Sequence, residues 1–393
     1  MRMGPRIERT WIALWAAILL SACSGAPPAR APASGNERRP ESADKDFRGR
    51  ISAGVSHTCM VLEDGRVACW GENPLIEYGF IQGAINQPSP PVILPEVRDI
   101  VRISVGLDRL CAVTGEKKVL CLSRTRSGLV EGLQDIEDVS VGWNHACARS
   151  REGEVYCWGE NESGQIGNGT EVAQHAPVKV EGLENVRQIA VGRNHACALL
   201  ESGEVSCWGG NEYGQLGDGT ETRRSTPTTV IGLSGIVQIS ADNSNTCALN
   251  RSGEVYCWGI DTFTRGQCDC NAKTYSRPTW LSELADVTQV EVGSDHSCAL
   301  KKSGKVMCWG TNVHHEMGPG VPGQRSLTPI EVADVRDAAA LTVGLSHACI
   351  LRNDATAFCW GANDVAMLGD GTETDYGGAL QKVIDPVNAG LQP

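Results

Sequence analysis

Short segments dense in apolar, β-forming residues recur along the chain and are separated by polar, glycine-rich loops. The clearest copy spans residues 186–233 and reads VRQIAVGRNHACALLESGEVSCWGGNEYGQLGDGTETRRSTPTTVIGL. It contains four such segments, at 188–191, 195–200, 204–208 and 227–231. Each copy therefore predicts four short β-strands, with a glycine-rich loop between the third and the fourth.

Cysteine marks the length and number of the copies. Of the 17 cysteines, 14 form seven pairs whose members are ten positions apart. The pairs are Cys59 with Cys69, Cys111 with Cys121, Cys147 with Cys157, Cys197 with Cys207, Cys247 with Cys257, Cys298 with Cys308, and Cys349 with Cys359. Successive pairs are 52, 36, 50, 50, 51 and 51 positions apart, so the period is close to fifty. Seven copies of four strands predict an all-β fold, a seven-bladed β-propeller.

The ten-residue spacing predicts a hairpin of defined geometry. If Cys197 and Cys207 lie opposite each other, residues 201–203 form a three-residue turn. Such turns place a left-handed residue last, and glycine adopts that conformation without steric cost. Glycine stands there in five copies, whereas Lys117 and Ala355 stand there in copies two and seven. We expect distorted turns in those two copies.

Opposed residues of an antiparallel pair lie close enough for a disulfide. We therefore predict seven disulfides, each between two strands of one blade. Zinc sites need Cys-x2-Cys clusters or added histidine, and isolated pairs of this spacing do not fit them. Free buried thiols packed as small apolar side chains are the remaining alternative.

Tryptophan follows the second cysteine in six copies. These residues are Trp70, Trp158, Trp208, Trp258, Trp309 and Trp360. Neighbouring strand residues point to opposite faces, so each indole is expected on the face opposite the disulfide, within the core between blades. Copy two has Leu122 instead and lacks the glycine-rich loop, which predicts the thinnest blade.

Histidine occupies the position two residues before the first cysteine in five copies. These are His57, His145, His195, His296 and His347. A ring of imidazoles could bind a metal or titrate near neutral pH. Arg109 and Asn245 fill the same position in the other copies, which favours a structural imidazole that bonds to backbone. The glycine-rich loops lack the lysine of a phosphate loop and the acids of a calcium loop, so we expect neither cofactor nor metal.

The repeat motifs carry a family resemblance. The runs GxxHxCAL, G-x-V-x-C-W-G-x-N and GQLGDGT resemble the repeats of the Regulator of Chromosome Condensation propeller family, and the resemblance covers residues 49–385. It implies the seven-bladed fold. The founding member is a guanine nucleotide exchange factor for a nuclear GTPase, but none of its catalytic residues can be matched to positions of this chain.

The first 46 residues resemble the export and attachment segment of a bacterial lipoprotein. Residues 1–22 combine three arginines with a short apolar run, which predicts a signal peptide. The tetrad Leu20-Ser21-Ala22-Cys23 resembles a lipobox, so Cys23 is the expected site of lipid attachment. Ser24 follows where the inner-membrane retention signal has Asp, which predicts the outer membrane, on its periplasmic face or the cell surface.

Composition sets the remaining boundaries and excludes some partners. Residues 23–46 are rich in Ala, Pro, Ser and charged residues, which predicts a flexible tether. The propeller is expected over residues 47–386 and a C-terminal tail over residues 387–393. Export also favours oxidised cysteines. The chain has a net charge of -12, which argues against nucleic acid and against electrostatic binding to anionic lipid.

Functional residues are expected where the copies differ. The candidate recognition loops contain Tyr78, Phe80, Arg265, Asp269, His314 and His315, and Cys268 and Cys270 could form a loop disulfide. These loops favour a monomeric, non-catalytic protein that binds a protein, peptide or glycan. The alternative is a hydrolase or lyase of envelope polymer at the central channel. Charged residues from several blades that converge in the channel would favour the enzyme. A wide apolar patch on one loop face would favour the binding protein.

Overall fold

The computed structural model describes residues 47–72, 74–80, 88–260, 274–374 and 378–387. They form seven four-stranded antiparallel sheets, each built from four consecutive strands, and one helix, α1 (Pro74–Glu77). The predicted seven-bladed, all-β propeller is confirmed. Among these residues, no helix has the length and apolar character that crossing a membrane requires.

The blades follow one another along the chain. Blades one and two contain β1 (Ile51–Ala53), β2 (His57–Val61), β3 (Val67–Glu72), β4 (Pro88–Ile93), β5 (Ile100–Val105), β6 (Arg109–Thr114), β7 (Val119–Ser123) and β8 (Gly128–Leu129). Blades three and four contain β9 (Ile136–Val141), β10 (His145–Ser150), β11 (Val155–Gly159), β12 (Gln174–Lys179), β13 (Val186–Val191), β14 (His195–Leu200), β15 (Val205–Gly209) and β16 (Arg224–Thr229).

The last three blades have the same order. They contain β17 (Ile236–Asp242), β18 (Asn245–Asn250), β19 (Val255–Ile260), β20 (Thr274–Trp280), β21 (Val287–Val292), β22 (His296–Lys301), β23 (Val306–Thr311), β24 (Arg325–Glu331), β25 (Ala338–Val343), β26 (His347–Arg352), β27 (Ala357–Gly361) and β28 (Gln381–Lys382). The fourth strands of blades two and seven have only two residues each, so strand length does not single out blade two as the thinnest.

The cysteine pairs occupy the predicted strand register, with the two members of each pair directly opposite each other on the second and third strands of a blade. All seven pairs are disulfide-bonded, with Cα atoms 4.1 Å apart. The bonds join Cys59 to Cys69, Cys111 to Cys121, Cys147 to Cys157, Cys197 to Cys207, Cys247 to Cys257, Cys298 to Cys308, and Cys349 to Cys359. The disulfide prediction is confirmed, and the alternative of free buried thiols is excluded.

The turn between the paired strands also agrees with the prediction. In blade four, Leu200 N donates to Glu204 O over 2.9 Å, which closes a turn of residues 201–203. Gly203, the last residue of that turn, has a φ of 84°. The cysteine spacing therefore predicted both the length of the turn and the position of its left-handed residue.

The prediction of distorted turns in copies two and seven is wrong. Lys117 and Ala355 have φ values of 61° and 63°, close to those of the glycines they replace. Their turns keep the same hydrogen bonds, with Lys117 N donating to Thr114 O over 2.9 Å and Ala355 N to Arg352 O over 3.0 Å. A non-glycine residue adopts this left-handed backbone conformation at a cost of about 1–2 kcal/mol. The fold tolerates that cost in two of its seven turns.

Replacing Ala355 with glycine should stabilise the propeller. Relief of the left-handed strain exceeds the greater backbone entropy that glycine loses on folding, for a net gain of about 0.5–1 kcal/mol. Urea unfolding of Ala355→Gly should therefore show a higher midpoint than the parent. Asn353→Gly, in the same turn but without a positive φ, is the matched control and should be destabilising. A midpoint for Ala355→Gly at or below the parent value would contradict the interpretation.

The hydrophobic core lies between blades. Seven clusters of buried side chains each combine residues of two neighbouring blades. One joins the disulfide of Cys147 and Cys157 in blade three to Trp208 of blade four. The six tryptophans following the second cysteines are all buried, as predicted for a core role.

Among the described residues, the ring closes without exchanging a strand between the first and the last blade. Blade one is formed by β1–β4 and blade seven by β25–β28. The two blades share a core cluster containing Trp70 and the disulfide of Cys349 and Cys359. Hydrogen bonds also cross this interface: Ala53 N donates to Thr342 Oγ1 over 2.8 Å, and Trp70 Nε1 to Met367 O over 3.0 Å.

Candidate functional site

The first strands of the seven blades line a central channel with a cavity at each mouth. The cavities have volumes of about 180 and 370 Å³. The strands converge tightly where they end, because a Cβ atom on Gly106 would overlap the carbonyl oxygen of Gly142 in the next blade. Glycine at this position therefore lets neighbouring blades approach each other around the axis.

Hydroxyl side chains near the ends of the first strands lie between the two cavities and form the waist of the channel. Each accepts a hydrogen bond from a backbone N–H of the next blade, over 2.8–3.1 Å. The acceptors are Ser52, Ser104, Ser140, Ser240 and Thr342. These hydroxyls link neighbouring blades and satisfy backbone donors that the sheets leave unpaired.

Three glutamines reinforce the same belt. Gln188, Gln238 and Gln289 each donate to and accept from one backbone position of the next blade. For Gln238 the two bonds are 2.8 Å to Val290 O and 2.9 Å from Val290 N. The belt is therefore structural and connects blades four to seven.

Glu291 stands where the other blades have a small residue. Its carboxylate accepts hydrogen bonds from Gln289 Nε2 over 2.8 Å, from Ser240 Oγ over 3.1 Å and from Gln238 Nε2 over 3.2 Å. Burial raises the pKa of Glu291 to about 6, although these bonds and the charge of Arg48 oppose the rise. Sequence reasoning missed this residue. Aligning the strand positions Ser52, Ser104, Ser140, Ala190, Ser240, Glu291 and Thr342 would have revealed it.

Apolar residues stand in four consecutive blades at the mouth where the first strands end. They are the residues that follow the strand-terminal glycines of blades seven, one, two and three: Leu345, Val55, Leu107 and Trp143. All four are partly exposed, and we call this set the apolar arc. Arg193 of blade four borders it, with its guanidinium carbon 4.3 Å from the centre of the Trp143 ring. The sequence analysis did not identify the arc.

The other mouth, at the beginnings of the first strands, is lined by charged side chains. Four arginines face the larger cavity: Arg48, Arg102, Arg149 and Arg187. Asp138 and Glu291 line it as well. We call this surface the arginine mouth. It brings together charges from five blades, which the sequence analysis did not anticipate.

The five repeated histidines are structural. All are buried, and burial lowers the pKa of His57, His195 and His296 to about 4 and that of His145 and His347 to about 3. His347 Nε2 lies 2.7 Å from Thr58 Oγ1, and His195 Nε2 lies 2.9 Å from Thr246 Oγ1. The sequence analysis expected these imidazoles to bond to backbone, but these two bond to hydroxyls of the next blade. They remain neutral at pH 7 and link neighbouring blades.

Two predicted recognition residues pack in or against the core. Tyr78 is only 1% exposed, and its hydroxyl forms a hydrogen bond with His57 Nε2. Phe80 is partly buried against the cluster that contains Leu122 of blade two. Blade two has leucine where other blades have tryptophan, so this segment of blade one fills the space beside it. The recognition role predicted for Tyr78 is therefore wrong, and that of Phe80 stays a prediction.

The other predicted loop residues have different outcomes. His314 is exposed, and its backbone N–H donates to the buried Glu316 carboxylate over 2.9 Å. His315 is partly buried and has a φ of 62°. The predictions for Cys23, Arg265, Cys268, Asp269 and Cys270 fall outside the described residues.

The glycine-rich loops are held by asparagine. Asn211 Nδ2 donates to Thr220 O and Thr222 O over 3.0 Å, and its Oδ1 accepts from Leu216 N over 3.0 Å. The loop carbonyl of Gln215 accepts the indole N–H of Trp258 in the next blade over 2.9 Å. In the part of the chain that the structure describes, no three His, Cys, Asp or Glu side chains lie close enough to share a metal ion.

The comparisons with known proteins agree with this geometry. The family model of the RCC1-like domain matches residues 122–388, which is more than half of the chain. The chain belongs to the RCC1-like domain family. A model of the Regulator of chromosome condensation (RCC1) repeat also matches residues 50–77. The family prediction is confirmed, and the described blades of this RCC1-like propeller extend beyond the larger match.

The similarity to individual relatives covers only part of this chain and a small part of each relative. The E3 ubiquitin-protein ligase HERC2 of Homo sapiens is 36% identical over 87 residues, 22% of this chain and 2% of HERC2. Protein pim1 of Schizosaccharomyces pombe is 28% identical over 118 residues, 29% of this chain and 21% of pim1. This chain therefore spans a small part of these relatives.

Solved structures of the family share the fold. Prp20p from Saccharomyces cerevisiae superposes with a TM-score of 0.63 at 20% identity, covering 75% of this chain and 80% of Prp20p. Human WBSCR16 superposes with a TM-score of 0.58 at 22% identity, covering 86% and 81%. At this level of identity the likeness shows the propeller alone.

Proposed function

We propose that this RCC1-like propeller is a non-catalytic binding protein that recognises a protein or peptide through the apolar arc. The observation that carries the proposal is that a partly exposed apolar residue recurs at the same turn of four adjacent blades, as Leu345, Val55, Leu107 and Trp143. The blades approach so closely at the axis that these turns adjoin, with Leu345 N donating to Gly54 O over 3.2 Å. Partly exposed apolar groups that adjoin one another favour burial against a partner.

The chemistry of the arc favours an apolar side chain in the partner. Trp143 and Arg193 form a flat, amphipathic edge, since the guanidinium stacks on the indole. Aromatic and arginine side chains are the residue types that most often dominate binding free energy at interfaces. Protein binding is also the role of a structural relative, since Prp20p binds Gsp1p and histones.

The protein is further proposed to be an envelope lipoprotein and a monomer. Support comes from the apolar run in residues 1–22 and the lipobox-like tetrad ending in Cys23. Seven disulfides fit an oxidising compartment. Incorporation of labelled palmitate, and its loss in Cys23→Ala, tests the attachment. A chain that remains unlabelled would exclude it.

Affinity capture from detergent-solubilised envelope tests the binding role. The parent chain should retain a stoichiometric partner, and Trp143→Ala should lose most of it, because removing a central aromatic typically weakens binding by about 2 kcal/mol or more, roughly thirtyfold. Trp280→Ala is the matched control, since Trp280 is 53% exposed on the outer strand of blade five. Equal retention by both variants would contradict the role of the arc.

A polymer-cleaving enzyme is the second candidate. Two observations favour it: charged residues of five blades converge at the arginine mouth, and the Glu291 carboxyl, with a pKa of about 6, can exchange protons near neutral pH. We favour binding because three side chains of the inter-blade belt already bond to this carboxylate. If no partner is captured and the purified chain cleaves peptidoglycan or polysaccharide in a Glu291-dependent way, the enzyme is the correct interpretation.

A further inference from the structure

The arginine mouth has a charge opposite to that of the protein as a whole. The chain carries a net charge of -12. Four arginines nevertheless line the cavity of about 370 Å³, against the two acids Asp138 and Glu291. Four arginines against two acids leave an excess of positive charge at this mouth. Such an excess within an acidic molecule attracts anions locally.

Two of these guanidiniums retain hydrogen-bonding capacity. Arg187 donates from Nη2 to Val237 O over 3.0 Å, and Arg149 donates from Nη1 to Ser150 O over 3.0 Å. Arg149 Nε is buried and has no hydrogen-bond partner among the described residues. A guanidinium has five N–H donors, and a buried donor without a partner costs about 1–3 kcal/mol. The other N–H donors of Arg149 and Arg187, which line the cavity, can bond to an acceptor that a ligand supplies.

We propose that the arginine mouth binds the oxyanion group, phosphate or carboxylate, of a soluble ligand. Arginine pairs with both groups through two parallel N–H···O bonds, and the cavity is larger than either group. This site is independent of the apolar arc, because the waist of Ser, Thr and Gln side chains separates the two mouths.

The Glu291 carboxylate lies at the waist and should repel a bound anion. It lines the same cavity and bonds to three side chains of the waist, so water screens its charge only in part. The arginines should therefore supply the affinity, and the carboxylate should reduce it. This opposition provides a second measurement that a merely structural arginine cluster would not affect.

Calorimetric titration of the complete chain with pyrophosphate and with citrate, at low ionic strength, tests the site. The parent chain should bind one or both in the millimolar range or tighter. The double variant Arg149→Gln with Arg187→Gln should bind at least about tenfold more weakly, because two charge-assisted pairs are lost. The double variant Arg149→Lys with Arg187→Lys, which retains the charge, should lie between the two. Circular dichroism checks that each variant is folded.

Two further variants decide the interpretation. Arg251→Gln removes one positive charge from an exposed hairpin turn outside the cavity and should leave binding unchanged. Glu291→Gln should tighten binding by roughly threefold to tenfold, because it removes the opposing charge. The proposal is overturned if neither anion binds, if the double glutamine variant binds like the parent, or if Arg251→Gln weakens binding as much as that double variant.

Discussion

Reduction of all seven disulfides is expected to leave the propeller unfolded at 25 °C in the absence of denaturant. Each bond closes a loop of about eleven residues, and restriction of the unfolded chain by such a loop is worth about 3 kcal/mol. Seven contributions of this size exceed the total stability of a typical domain, about 5–15 kcal/mol. Because the sulfurs lie in the core clusters between blades, their loss also weakens the packing of those interfaces.

The measurement compares two refolding reactions. The chain is unfolded in urea with or without reductant, the urea is removed, and circular dichroism reports the recovered structure. The oxidised sample should regain its strands, and the reduced sample should not. The double variant Cys197→Ala with Cys207→Ala should remain folded and lose only about 3 kcal/mol. Mass spectrometry of unreduced peptides verifies that each pair is linked within itself. A reduced chain that regains its native spectrum would refute the argument.

Replacement of Trp70 by alanine should destabilise the closing interface by about 3–5 kcal/mol. The indole is fully buried between blades one and seven, and its N–H donates to Met367 O over 3.0 Å. Since no strand is exchanged between the first and the last blade among the described residues, side-chain packing and hydrogen bonds hold this interface. Urea unfolding followed by circular dichroism measures the loss of stability.

Two variants separate the contributions of this tryptophan. Trp70→Phe keeps most of the apolar contact and should cost about 1–2 kcal/mol for the lost hydrogen bond. Trp158→Ala is the matched control, because Trp158 is 7% exposed and faces blade two, which lacks the glycine-rich loop. It should cost less than Trp70→Ala. An equal or larger loss of stability in Trp158→Ala would show that neither the hydrogen bond to Met367 O nor the location of Trp70 at the closing interface adds stability.

Local geometry was predictable wherever contacting residues are close in sequence. The spacing of Cys197 and Cys207 predicted a three-residue turn, the pairing of these cysteines across two strands, and the side of the sheet on which Trp208 lies. All three features are present. The fourth strand of the same blade was placed less well, at 227–231 instead of Arg224–Thr229. Its residues are mostly Ser and Thr on an exposed outer edge, so burial imposes no apolar pattern on them.

Contacts between blades were predicted poorly. Tyr78 looked like a recognition residue because its segment breaks the repeat, but it packs in the cluster with Leu122, which lies in another blade. Lys117 and Ala355 suggested distorted turns, whereas the surrounding strands impose the left-handed conformation on them. In each case a neighbouring element outweighed the local preference.

The sequence by itself determined the number of blades, the register of each central hairpin and the seven disulfide pairs, because these depend on contacts within about ten residues, repeated seven times. Only the tertiary structure decided that Glu291 lies at the waist, that four arginines share one mouth and that the turns of the apolar arc adjoin at the other. These residues belong to separate blades along the chain. They meet because closure of the ring brings the first strands to a common axis, and no local pattern encodes what faces that axis.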